Sequence, residues 1–119
     1  MKLRIPILAA ATLLAFLSLP AGAHAIVTGS SLVEHPIKAG EATHVLLRFN
    51  SAVELGLSRV FLVSRGDKYQ QVKIERGPKP GELLVEVPAL EPGDYALKYR
   101  ILAADGHVTE DVLRFHVSG

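Results

Sequence analysis

The amino-acid sequence predicts an all-β domain of about seven short strands, and three observations carry this prediction. Apolar residues fall at every second position in several segments, most clearly at Tyr95, Leu97, Tyr99 and Ile101, which is the period of a half-buried strand. Turn signals rich in glycine and proline recur at roughly 8–12-residue spacing. No segment after residue 23 has the period of about 3.6 residues that marks an amphipathic helix.

Residues 1–23 have the pattern of an export signal. Lys2 and Arg4 form a basic start, an apolar run follows, and the stretch ends in the small-x-small cleavage pattern Ala21-Gly-Ala23. The apolar run is short and leads directly into that cleavage pattern, so it predicts secretion and not a membrane anchor. We therefore expect a signal peptide over 1–23 and one small domain over 24–119.

Composition narrows the classes of function. Removal of residues 1–23 leaves 11 of the 13 basic residues against 12 acidic ones, so the secreted chain is nearly neutral. No basic stripe in the sequence indicates binding to nucleic acid or to an anionic membrane surface. The chain has no cysteine, which excludes both a disulfide framework and a cysteine-linked lipid anchor.

The strands follow from alternation and from the breaks between segments. The run 60–63 is continuously apolar, so we expect it to be buried on both sides. Arg65-Gly-Asp67 reads as a turn, and Val72 and Ile74 should point inward from one strand. The strands are predicted at 26–33, 44–50, 60–63, 69–75, 83–87, 95–101 and 111–117.

A local motif refines the fold class. Leu90-Glu-Pro-Gly-Asp-Tyr95 resembles the tyrosine corner of immunoglobulin-like sandwiches, in which the phenol hydroxyl holds the crossing loop. We therefore predict an immunoglobulin-like Greek-key sandwich or barrel.

Histidines are the main candidates for chemistry, and five are present. His44 and His116 fall on the outward face of predicted strands, and His35 lies in a turn, so solvent exposure is expected for all three. Asp105-Gly-His107 is different. A hairpin turn explains the Asp-Gly pair but gives no reason for the histidine.

His24 adds to this picture. Cleavage after Ala23 would leave its α-amine and imidazole on one residue, a chelating pair called a histidine brace. With a third nitrogen from His107 and an oxygen from Asp105, the set suits Cu(II) better than zinc or a hard cation. Cleavage after Ala25 also satisfies the small-x-small rule and would remove His24, so both positions stay open.

Taken together, His24-Ala25 after the signal, Phe49-Asn-Ser-Ala-Val-Glu54, the stretch 95–107 and Phe115-His-Val117 resemble the CopC family of copper-resistance proteins of the bacterial periplasm. The resemblance implies a small periplasmic β-sandwich, expected to be a monomer, that binds one Cu(II). It assigns the metal ligands to His24, Asp105 and His107.

The same resemblance implies a role as a copper carrier or buffer for resistance or import, with a membrane copper importer as the expected partner. Glu54 falls where some members keep a carboxylate near the metal, so an outer-sphere role and a solvated loop position are both open.

The sequence departs from the family pattern at three points, one of which, at Tyr99, lies in the strand before the Asp-Gly-His motif. The methionine-rich Cu(I) loop of some members is missing, because Met1 is the only methionine. Tyr99 replaces the usual tryptophan, and Thr109 to Asp111 replace a segment that commonly contains glycine.

Two other functions remain alternatives to copper carriage. One is a metal-free immunoglobulin-like interaction domain, which goes with cleavage after Ala25. The other is a copper-dependent oxidative enzyme of the lytic polysaccharide monooxygenase type. With 6% aromatic residues and no tryptophan, a flat sugar-stacking surface is hard to build, so we predict that the chain is not an enzyme. Zinc occupancy of the site is left open.

Overall fold

A computed structural model describes residues 27–119. Two four-stranded antiparallel sheets face each other, which confirms the all-β sandwich. The strands in chain order are β1 (Val27–Ser30), β2 (Thr43–Phe49), β3 (Arg59–Ser64), β4 (Lys68–Val72), β5 (Ile74–Arg76), β6 (Glu82–Val87), β7 (Gly93–Leu102) and β8 (Val108–Val117). The first sheet has the order β1-β2-β6-β5 and the second the order β4-β3-β7-β8.

The inward side chains of both sheets form one hydrophobic core. Alternation along each strand places these side chains on one face, and their removal from water is the main stabilising contribution available to a chain without disulfides. The most deeply buried apolar residues are Val45, Leu47, Val60, Leu83, Val85, Val87, Leu97, Ile101 and Val117.

Strand β7 confirms the alternation seen in the sequence. Leu97, Tyr99 and Ile101 are buried, and Tyr95 packs against the core from its edge. The strand pairs with β3 on one side and with β8 on the other. It therefore lies inside the second sheet, with its C-terminal end leading directly into Asp105.

One predicted strand is wrong in its extent. The segment 69–75 divides into β4 and β5, which belong to different sheets, so eight strands are observed and not about seven. Val72 is buried and Ile74 packs against the core, but they reach it from opposite sheets. The chain crosses at Lys73, whose carbonyl accepts a hydrogen bond from the N–H of Glu86 at 2.9 Å.

The prediction that the run 60–63 is buried on both sides is also wrong. Val60 and Leu62 are buried, whereas Phe61 and Val63 are half-buried on the outward face of the second sheet. Phe61 contacts Tyr69 edge to face there, with 6.3 Å between ring centroids. Phe61 and Val63 thus form an apolar patch on the outward face that does not belong to the core.

The connections between the strands contain little regular structure. A 3-10 turn at Leu55–Leu57 is the only helical segment of residues 27–119, and this part of the chain has no helix long and apolar enough to cross a bilayer. Gly66 and Asp67 have positive φ angles of 81° and 52°. They close the hairpin between β3 and β4, which confirms the turn predicted at Arg65-Gly-Asp67.

The tyrosine corner is present. The hydroxyl of Tyr95 donates a hydrogen bond to the carbonyl of Glu91 at 2.7 Å. Its ring stacks on Phe115 of β8, with centroids 5.8 Å apart and an interplanar angle of 20°. The loop that enters β7 is therefore held by one side chain of the strand that it precedes.

Replacement of Tyr95 by phenylalanine should lower the free energy of unfolding by about 0.5–1.5 kcal/mol, the usual net value of one hydrogen bond. Tyr69→Phe is the matched control, because the Tyr69 side chain is 53% exposed and loses the same hydroxyl. Denaturant unfolding of both variants measures the difference. Equal effects would show that the hydroxyl of Tyr95 does not hold the loop.

Candidate metal centre

The turn between β7 and β8 is closed by backbone hydrogen bonds. The N–H of Ala103 donates to the carbonyl of His107 at 2.8 Å, and the N–H of Gly106 donates to the carbonyl of Ala103 at 2.9 Å. Gly106 has a φ of 95°, a conformation that residues with a Cβ rarely adopt. The glycine between Asp105 and His107 is therefore required by the backbone of the turn.

This turn brings Asp105 and His107 together. Asp105 Oδ1 accepts a hydrogen bond from the backbone N–H of His107 at 3.1 Å and lies 3.2 Å from His107 Nδ1. The backbone N–H and, less strongly, the imidazole of His107 hold the pKa of Asp105 below its ordinary value. The two side chains are 45% and 51% exposed respectively, so an ionised carboxylate and an imidazole are presented to solvent.

The pair offers two metal donors of different type. When Nδ1 of His107 carries the ring proton, it donates to Asp105, and Nε2 keeps the lone pair that a metal ion needs. The carboxylate can then orient the ring or supply an oxygen itself. Within residues 27–119 no group of three or more His, Cys, Asp or Glu side chains lies close enough to hold a metal, so the pair does not make a metal site with other described residues.

The segment that carries Glu54 runs beside the base of this turn. The N–H of Glu54 donates to the carbonyl of Leu102 at 2.8 Å, and the N–H of Ala104 donates to the carbonyl of Ala52 at 2.9 Å. Val53 and Ala103 form the antiparallel bridge between these bonds. The Glu54 side chain is exposed and belongs to no metal-binding group of the described chain.

Ser58 holds the Glu54 segment to β7, and sequence reasoning missed it. Its side chain is 1% exposed. Its hydroxyl donates to the carbonyl of Glu54 at 2.8 Å and accepts from the N–H of Leu102 at 3.0 Å. A serine in a polar connection carries no sequence signal for such a bridge.

His24 lies outside the described residues, but the start of β1 does not. Val27 pairs with Phe49 at the end of β2, which is where the segment 50–54 begins. Phe49 also contacts Tyr99 of β7 edge to face, with 5.7 Å between ring centroids. Val27, the first described residue, therefore lies at the end of the sandwich that carries the Asp105–His107 turn.

The other three histidines lie away from this turn. His35, His44 and His116 are all exposed, as expected. His116 Nδ1 is 2.7 Å from Asp94 Oδ1, and these residues pair at the opposite end of the β7–β8 hairpin.

Removal of the Ser58 hydroxyl tests its bridging role. Ser58→Ala leaves the part-buried N–H of Leu102 without this acceptor and removes one of the two donors to the Glu54 carbonyl, which also accepts from the N–H of Leu57 at 3.3 Å, so the change should cost about 1–3 kcal/mol. Ser64→Ala is the control, since the Ser64 hydroxyl makes only an exposed 3.5 Å contact, and it should stay within about 0.5 kcal/mol of the parent. Thermal unfolding compares the two. A Ser58→Ala protein as stable as Ser64→Ala would contradict the bridge.

Comparison with known proteins identifies the family that shares this fold. Residues 27–118 match the family model described as the CopC domain. The structure is similar to that of CopC from Methylosinus trichosporium OB3b, at 29% identity and a TM-score of 0.67, over 80% of this chain and 94% of that one.

A second similar structure is that of PcoC, a methionine-rich copper resistance protein from Escherichia coli. It matches at 20% identity and a TM-score of 0.61, over 81% of this chain and 100% of that one, and it supports the fold alone. No curated protein sequence matches the chain.

These comparisons confirm both the resemblance stated from the sequence motifs and the expectation that the chain is not an enzyme. Members of the matching family are periplasmic proteins, for which copper binding is implied. The chain belongs to the CopC family of copper resistance proteins.

Proposed function

We propose that the secreted protein binds one Cu(II) ion and carries or buffers it in the periplasm. His24, as the first residue after signal cleavage, supplies its amine and imidazole nitrogens. His107 supplies the third nitrogen, and Asp105 supplies an oxygen or orients the His107 ring. The protein captures and releases its cargo and catalyses no reaction.

The Asp105–His107 pair is the observation that carries this proposal. Its side chains meet at 3.2 Å in a turn whose backbone is already closed, so little ordering is needed on binding. The pair alone has too few donors for a tight site. Because extended chain spans at most about 3.3–3.6 Å per residue, three residues allow His24 to reach up to roughly 10 Å from Val27, which lies at the same end of the sandwich as the turn.

The chemistry of this donor set favours the cupric ion. Three nitrogens and one carboxylate suit the tetragonal preference of Cu(II), whereas Cu(I) prefers thiolate and thioether sulfur. The chain has no cysteine, and its single methionine, Met1, lies within the proposed signal peptide. We therefore propose no separate Cu(I) site.

Exposure of the pair suits transfer of copper. Asp105 and His107 are about half exposed at the tip of a hairpin, so an incoming ligand can reach the ion without unfolding of the core. A membrane copper importer is the acceptor that we propose, and the protein is proposed to act as a monomer.

Titration of the secreted protein with Cu(II) should give one ion per chain. His107→Ala removes one nitrogen ligand and should weaken Cu(II) affinity by at least about 100-fold, since even changes to groups behind the ligands cost 10–100-fold. His44→Ala, an exposed histidine of β2, is the matched control and should bind like the parent. Equal affinity of the two variants would exclude His107 as a ligand.

The first residue of the secreted chain is the second test. Protein that begins at His24 should bind Cu(II) tightly, and binding should weaken in acid, because protons compete with the metal for the amine and imidazole nitrogens. Protein that begins at Ile26 should lose most of this affinity.

Thermal unfolding provides a second readout for these two proteins. A ligand at about 100 times its Kd adds about 2.7 kcal/mol of stability, so Cu(II) should raise the melting temperature only of the protein that begins at His24. Intact mass of the exported protein identifies its first residue. An unchanged Cu(II) affinity after loss of His24 would overturn the brace.

A further inference from the structure

The sequence has almost equal numbers of basic and acidic residues, but the fold brings several basic residues together on one surface. Residues on alternate positions of β3, β7 and β8 point outward from the second sheet, and the register sets them side by side. We call this surface the basic face. Its charged residues are the four cations Arg59, Lys98, Arg100 and Arg114 and the two acids Asp94 and Glu110.

No salt bridge joins a cation of the basic face to an acid among residues 27–119, although Glu110 lies directly opposite Arg100 across β7 and β8. The ion pairs of this part of the chain are Arg48–Glu82 and two histidine–aspartate pairs, and residues 1–26 contain no acid. Arg59 lies directly opposite Arg100 across the two strands, and like charges in that position destabilise a sheet. Arg100 therefore has a like charge beside it on β3 and an opposite charge beside it on β8, and an external anion would relieve the repulsion on the β3 side.

Two of these cations are already held in place. Arg59 Nη1 donates to the carbonyls of Gly56 at 3.0 Å and Ser58 at 2.8 Å. Lys98 Nζ lies 5.5 Å from the centre of the Tyr69 ring, within the range of a cation–π contact. Because the side chains are ordered in advance, an anion that binds them loses less conformational entropy.

The basic face also has an apolar component. A shallow pocket of about 150 Å³ is lined by Phe61, Tyr69, Lys98, Arg100 and Glu110, among others. Two aromatic rings beside two cations can accept one carboxylate side chain together with its methylene groups. Aromatic residues and arginine are the residue types enriched at protein interfaces.

The basic face continues to the candidate metal turn. Arg100 pairs with Glu110, and the next pair on the same face of the sheet is Leu102 with Val108. Val108 is 41% exposed and directly follows His107. A molecule bound over Arg100 therefore lies beside the turn.

We propose that the basic face docks an acidic surface of a partner protein. Its use in copper exchange at the neighbouring turn rests on the proposed function, whereas the docking itself does not. Asp94 and Glu110 are set among the cations, so the pattern suits a protein surface with both signs of charge. A uniformly anionic lipid surface would repel these two acids.

Binding of a labelled oligoglutamate peptide to the copper-free secreted protein tests the docking surface. The parent should bind it, with an affinity that falls as salt screens the charges. Arg100→Glu should weaken binding roughly tenfold. Arg76→Glu is the matched control, since Arg76 is an exposed residue of β5 in the other sheet, and it should change the affinity less than about twofold.

The melting temperature of each variant checks that it is folded. Equal losses of peptide affinity in the two variants would show that only the net charge of the protein matters. Absence of binding by the parent would show that the basic face does not dock acidic groups. Either result overturns the proposal. Stronger retention of the parent on vesicles of equal parts phosphatidylglycerol and phosphatidylethanolamine than on the peptide would assign the face to membranes and also overturn it.

The two proposals can fail separately. The peptide measurement uses no copper, so it can succeed when the Cu(II) titration fails. Conversely, Arg100→Glu should keep one Cu(II) per chain, because Arg100 belongs to no proposed ligand set.

Discussion

Packing of β7 between β3, β8 and the facing sheet supports both the core and the candidate metal turn. Leu97 and Ile101 are fully buried, and Tyr99 nearly so, and each such side chain contributes about 1.5–3 kcal/mol when it leaves water. Burial in addition raises the pKa of the Tyr99 phenol, as does the nearby charge of Asp111, so this residue acts as a neutral core side chain. The turn that carries Asp105 and His107 directly follows this well-packed strand.

Loops are tied to that strand by individual polar side chains. Tyr95 fixes the segment that enters β7 through the carbonyl of Glu91, and Ser58 fixes the neighbouring segment near its end through Glu54 and Leu102. In a small domain without cysteine, such bonds replace covalent links between connections. The Tyr95 bond acts at the start of β7, and the Ser58 bonds act at its other end, beside the turn that carries Asp105.

Much of the fold can be predicted from local patterns in the sequence, whereas the arrangement of charges on its surface cannot. Alternation identified β7 because its two faces differ in polarity. The same rule failed at Lys73, because Val72 and Ile74 both point inward and nothing local marks the change of sheet. The pairing of Asp105 with His107 was readable from a three-residue motif. Arg59 and Arg100 come from distant strands of a nearly neutral chain, so only the register brings them together.

The register of β7 and β8 has a consequence for the order of folding. Its ten residue pairs join segments separated only by the turn 103–107, so chain closure costs little entropy. Hairpins of this kind form within about 1–10 μs, earlier than contacts between distant strands. We expect a folding chain to bring the imidazole of His107 and the carboxylate of Asp105 together while the opposite sheet is still unformed.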